Sequence, residues 1–150
     1  GRFLPKVETT KLDSNNISRD PATVQKYDTD PLNYRGGIPA RTGAEMLRGF
    51  KIIEAGTPKL MYPMLIVHGS KDMIVNIEGS MQLYARAGSK DKTLKIFEGA
   101  YHEIHNGPDK QEEFELFVSW LDQRLASADN TQTYHQRRSS HREKPANSVD

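Results

Sequence analysis

Pro63 introduces an unbroken apolar run, Met64-Leu65-Ile66-Val67, that ends at His68-Gly69, and a second strand-like segment, Thr93-Leu94-Lys95-Ile96-Phe97, follows a helical stretch. A short continuous apolar run of this kind reads as a strand buried on both faces, which is how parallel sheets are written. Between the two, Asn76 is placed to cap NIEGSMQLYARAG, where Ile77, Met81, Tyr84 and Ala85 repeat at helical spacing and Gly88 supplies the stop. The order strand, helix, strand predicts a right-handed parallel crossover, and hence an α/β fold.

The flanking sequence divides into zones of different character. After the second strand comes the loop EGAYHEIHNG, then a helix opening at Pro108 with Asp109, Glu112 and Glu113 in its first turn and Arg124 near its end. That charge order complements the helix dipole. Phe114, Phe117, Val118, Leu121 and Leu125 follow the helical period and are expected to form its buried stripe. Residues 1–60 are rich in turn signals, among them Asp20-Pro21, Asp30-Pro31 and Gly36-Gly37, and favour short helices over strands. Asp20 can cap a helix over 21–27, and residues 40–55 place Leu47, Phe50 and Ile53 on one face of another. Residues 127–150 have no periodicity and one β-branched aliphatic residue, Val149; they read as a disordered, solvated tail. The expected divisions are therefore 1–60, 61–126 and 127–150.

Composition narrows the function by exclusion. With 21 Lys and Arg against 20 Asp and Glu, nothing favours a nucleic-acid partner. The absence of Cys excludes a disulfide framework, a thiolate nucleophile and a Cys-type zinc site, and it permits a cytoplasmic location. No apolar run approaches the roughly 20 residues of a membrane span, so any membrane contact is expected to be peripheral. The 35% hydrophobic content is low for a compact domain, and the start at Gly1 reads as a cut or processed end.

Chemistry concentrates at two loops. Asp72 lies just past the end of the first strand and His102 just past the end of the second. Ligands of open α/β sheets gather outside these carboxyl ends. If the strands are neighbours, the carboxylate can accept from one imidazole nitrogen and leave the other free as a base. Separately, each residue has an ordinary reading, Asp72 as a turn residue and His102 as a surface histidine. His68 reads as a hydrogen-bonded core histidine, and His105 can pack, orient the loop or contact a ligand, with packing favoured. A metal site from His68, Asp72, His102 and His105 lacks the helix-borne spacing such sites use.

The stretch PMLIVHGSKDMIVNIEGSMQLYARAGSKDKTLKIFEGAYHEIH, with FVSWLDQRL after it, resembles the C-terminal part of the α/β-hydrolase fold, specifically of monoacylglycerol lipases. Upstream, LDSNNISRDPATVQKYDTDPLNYRGG resembles the cap segment of the same enzymes, so the resemblance covers roughly residues 12–125. It implies a partial α/β-hydrolase fold of cap helices, the last two parallel strands and their flanking helices, with the N-terminal half absent. It also implies Asp72 as triad acid, His102 as triad base and Tyr27 near the glycerol headgroup. The substrate would be monoacylglycerol or a related lipid ester, the apolar cap face near Leu47, Phe50 and Ile53 would line an acyl channel, make peripheral membrane contact or simply cover the core, and no cofactor or metal is implied. The family's chain order of Ser, Asp, His calls for a G-x-S-x-G turn upstream. No such motif occurs in these 150 residues. The chain is accordingly expected to be inactive alone, to depend on the missing N-terminal half as partner, and to be marginal and adhesive in isolation. The alternatives are a truncated, non-catalytic binding protein and a fragment of a lysophospholipase-like acyl hydrolase.

Overall fold

A computed structural model describes the backbone of residues 6–142 and the side chains of 6–126. The elements run β1 (Glu8–Lys11), α1 (Pro21–Thr29), β2 (Gly37–Pro39), α2 (Ala40–Gly56), β3 (Met64–Gly69), α3 (Ile77–Arg86), β4 (Lys92–Phe97) and α4 (Lys110–Arg142), with single 3₁₀ turns between some of them. The chain divides between Glu113 and Phe114 into two compact units.

The first unit is built around the predicted crossover. β3 and β4 pair in parallel and in step, from Met64 opposite Lys92 to Gly69 opposite Phe97. Because the register has no offset, both strands release the chain at the same level. α3 joins them, started by the Asn76 side chain accepting from the Glu78 amide at 2.9 Å. α1 begins the same way, with Asp20 accepting from the Ala22 amide at 2.9 Å and Pro21 in the first turn. In both helices the cap satisfies an amide that the helix itself leaves without a partner.

Two glycines make the strand ends possible. A Cβ on Gly69 would lie 2.3 Å from the Tyr101 carbonyl oxygen and 2.4 Å from that of Ala100, so only glycine lets β3 end against the loop after β4. Gly99 turns that loop with φ +74°, a conformation L side chains rarely adopt. The loops are then bonded together: the Ser70 amide donates to the Phe97 carbonyl and the Lys71 amide to that of Ala100, each at 3.0 Å.

The N-terminal segment is stitched to the same region. Ile17, the largest fully buried side chain among the described residues, accepts at its carbonyl from the Glu103 amide at 2.8 Å. The hydroxyls of Ser18 and Thr23 both donate to the Asn106 carbonyl, at 2.9 and 2.8 Å, and Arg19 pairs with Asp109. Residues 17–23 thus anchor the stretch that follows His102.

Several expectations need correction. The N-terminal zone contains strands as well as helices: β1 and β2 pair antiparallel, clipped by Glu8 accepting from the Tyr34 hydroxyl and the Gly37 amide. β1 is exposed throughout and β2 is only three residues long, so neither carries an alternation for a sequence pattern to show. Neither β3 nor β4 is buried on both faces. Only Ile66, His68 and Gly69 of β3 and Phe97 of β4 are buried, because two strands cover each other on one edge and leave the rest half-exposed. The helix expected at Pro108 opens at Lys110. In the second unit, Phe114, Val118, Leu121 and Leu125 hold the predicted helical spacing but are exposed, so this stripe is not a core. Of the expected irregular tail, 127–142 continues α4 in the backbone and 143–150 lies outside the described residues. The physical reason is local: no Gly or Pro interrupts the sequence between Pro108 and Pro145, and a segment too polar to form a core can still propagate a helix already begun.

Candidate active site

At the carboxyl ends of β3 and β4 the two loops bring Asp72 and His102 together. His102 Nδ1 stands 2.9 Å from Asp72 Oδ2. Since a carboxylate oxygen only accepts, Nδ1 carries a proton, and in the neutral ring Nε2 is the nitrogen with the free lone pair. The side chains differ in exposure, 4% for Asp72 and 37% for His102, so the acid is enclosed and the base can reach a reactant.

Asp72 is held from both oxygens. Its Oδ1 accepts from the amides of Ile74 at 2.8 Å and Val75 at 3.0 Å. Burial pushes the carboxyl upward, but the Val75 amide, His102 and the Ile74 amide outweigh it and hold Asp72 below its ordinary value. It therefore stays ionised beside the imidazole, as an orienting carboxylate must.

The pair opens onto a cavity of about 310 Å³ lined by His68, Asp72, Ser80, His102, His105 and Glu113, among others. His68 is 8% exposed and hydrogen-bonded, as expected. His105 is exposed and faces the cavity, so it is a lining residue and not a packing one. Glu113, at 2% exposure, has one buried oxygen without a protein partner, and burial raises its carboxyl above the ordinary value against a lowering influence from His105. Sequence reading assigned Glu113 only to the helix dipole; nothing in its spacing marks it as buried. Although five of these side chains, His68, Asp72, His102, His105 and Glu113, are of metal-ligating type, no group of three among the described residues is arranged to hold an ion.

Tyr27 is elsewhere. It sits on α1 and lines a separate cavity of about 370 Å³ with Lys11, Leu12, Asp13, Ser14, Asp28, Tyr34, Arg35 and Gly36. That cavity shares no lining residue with the one at Asp72 and His102.

A buried acid and an exposed base on adjacent parallel strand ends, preceded by a helical segment bonded to the base's loop, define a region of an α/β-hydrolase. Comparison with known proteins carries this further. The model of the serine aminopeptidase S33 family, Hydrolase_4, matches residues 1–109, and the chain belongs to that family. It is 37% identical to the monoglyceride lipase of Homo sapiens over 127 residues, covering 83% of this chain and 42% of that protein. It is 32% identical to the monoacylglycerol lipase of Mycolicibacterium smegmatis over 121 residues, covering 81% of this chain and 43% of the relative. The crystal structure of Paleococcus ferrophilus monoacylglycerol lipase superposes with a TM-score of 0.72 at 34% identity, across 81% of this chain and 48% of that one. The chain thus spans less than half the length of the relatives it matches, and within that span it is a monoacylglycerol-lipase-like region.

Proposed function

We propose that these residues form the cap and C-terminal part of a serine ester hydrolase that cleaves monoacylglycerol or a related lipid ester to fatty acid and glycerol. The single observation that carries this reading is the 2.9 Å bond between His102 Nδ1 and Asp72 Oδ2 at neighbouring strand ends. His102 Nε2 takes the proton of a serine supplied from outside these 150 residues, then returns it to the leaving glycerol oxygen. Asp72 fixes the tautomer and stabilises the imidazolium. Residues 1–60 act as the cap and 61–126 as the core contribution; Tyr27 is assigned to the glycerol headgroup by the family resemblance alone, since it lines the other cavity. The exposed face of α2 at Leu47, Phe50 and Ile53 supplies apolar surface for an acyl chain or for peripheral membrane contact. Among the described residues no helix is long and apolar enough to cross a membrane.

The 150-residue chain alone should not be labelled by a fluorophosphonate probe, since it lacks the G-x-S-x-G serine; labelling would overturn that reading. In a protein containing the remainder of the fold, His102→Ala should abolish turnover of monoacylglycerol. Asp72→Asn should lower kcat by about 10⁴ while leaving the backbone geometry intact. Near-normal hydrolysis by either variant would remove that residue from the mechanism. Faster turnover of lysophospholipid than of monoacylglycerol would keep the mechanism and change the substrate.

A further inference from the structure

Ser70 lies between the two loops that carry the acid and the base. Its amide donates to the Phe97 carbonyl, and the next amide, that of Lys71, donates to the Ala100 carbonyl, each at 3.0 Å. Any residue but proline could make those backbone bonds. The Ser70 hydroxyl adds a link that depends on its side chain. Its oxygen accepts from the Gly99 amide at 2.8 Å, and its hydrogen goes to Glu98 Oε2 at 3.0 Å. An amide nitrogen only donates and a carboxylate oxygen only accepts, so a hydroxyl held between them has one arrangement.

The place of this link in the chain gives it leverage. Asp72 follows Ser70 by two residues, and His102 follows Gly99 by three. Asp72 is tied within its own turn, its amide donating to the Gly69 carbonyl at 3.1 Å and its Oδ1 accepting from the Ile74 and Val75 amides. Gly99 is the turn residue with φ +74°, and the direction of its amide sets the course of the chain toward His102. A displacement of Gly99 from Ser70 therefore passes to the 2.9 Å gap between Asp72 Oδ2 and His102 Nδ1. The parallel register of β3 and β4 aligns the backbone only as far as Gly69 and Phe97.

We infer that Ser70 is a positioning residue whose hydroxyl, clamped between the Gly99 amide and the Glu98 carboxylate, sets the relative placement of the loops bearing Asp72 and His102. The inference rests on the reading of that pair as acid and base. Ser70 bonds to neither of them and acts through Gly99. Proton transfer depends on the placement of the base, and an error of about 1 Å in such a geometry can cost on the order of a hundredfold in rate. Glu98 acts one step further out. By taking the hydroxyl hydrogen it keeps an oxygen lone pair turned toward the Gly99 amide.

The test uses a protein containing the whole fold, with p-nitrophenyl acetate hydrolysis and the proton magnetic resonance of His102 Nδ1 as readouts. Ser70→Ala should lower kcat by about tenfold with KM little changed. The downfield Nδ1 proton should move upfield and exchange faster with water. Ser70→Thr, which keeps the hydroxyl, should restore both, and Glu98→Ala, a change at an exposed residue, should shift both in the direction of Ser70→Ala by less. Wild-type kcat and an unmoved Nδ1 proton in Ser70→Ala would overturn the inference, as would a threonine variant no better than alanine. Should Ser70→Ala fail to fold, Glu98→Ala decides, and wild-type values in both readouts would overturn the inference. Asp72→Asn separates this from failure of the underlying reading: it should lower kcat by about 10⁴ and abolish the downfield signal. If it does neither, Asp72 and His102 are not acid and base, whatever Ser70 does.

Discussion

Asp72 and Glu113 border one cavity, and their surroundings move their carboxyls in opposite directions. Asp72 is held low by amides and His102, so its stabilising effect is present above the ordinary carboxylate value and is lost as pH falls through its lowered folded value. In a protein containing the whole fold, the urea midpoint should drop on acidification, and Asp72→Asn should remove that part of the dependence. Glu113 is held high by burial, so the sign reverses: stability is full below its unfolded value and declines as pH rises. Glu113→Gln should therefore stabilise the chain at neutral pH and make little difference in acid. Equal midpoints at both pH values would show that the buried oxygen has found a partner. At this scale the meeting of Asp72 and His102 was legible, because each follows the end of a strand and the two strands pair side by side. It was silent on Glu113, since burial of a helix-start acid depends on a loop packed against it and leaves no periodic trace.

The loops that carry the pair depend on an approach only glycine allows. Gly69→Ala would set a methyl 2.3 Å from the Tyr101 carbonyl oxygen, and backbone cannot yield as a flexible side chain would. In a protein containing the whole fold, the substitution should cost at least about 3 kcal/mol, the upper end of ordinary overpacking, as read by denaturant unfolding. Activity should fall with it, because the misplaced loops hold both acid and base. A fully active, equally stable variant would show that the strand ends can separate. Elements with strong local signals were legible: the Asn76 and Asp20 caps fixed the starts of α3 and α1, and Pro63 announced β3. β1 and β2 were not, because their pairing spans the residues between Lys11 and Gly37 and rests on Glu8, Thr9 and Tyr34 rather than on a repeating pattern.

For the chain as a whole, the decisive property is apolar surface left facing solvent. Leu47, Phe50, Ile52 and Ile53 of α2, Met61 and Tyr62 before β3, and the α4 residues Val118, Leu121 and Leu125 are all more than half exposed. Isolated chains with such surface and two-stranded sheets are marginal. Sedimentation of the 150 residues should show self-association, together with binding of an apolar dye; a monomer with a cooperative thermal transition would contradict this. The sequence's helical periods located these faces correctly but could not say what covers them, since hydrophobic spacing reports a face and not its neighbour. The bonds from residues 17–23 to the loop after His102 have a mechanical consequence. The start of the helical segment is not a flap free to swing above the site. It is fastened to the histidine's own support, so displacing it must either break three hydrogen bonds and the Arg19–Asp109 ion pair or carry the base along.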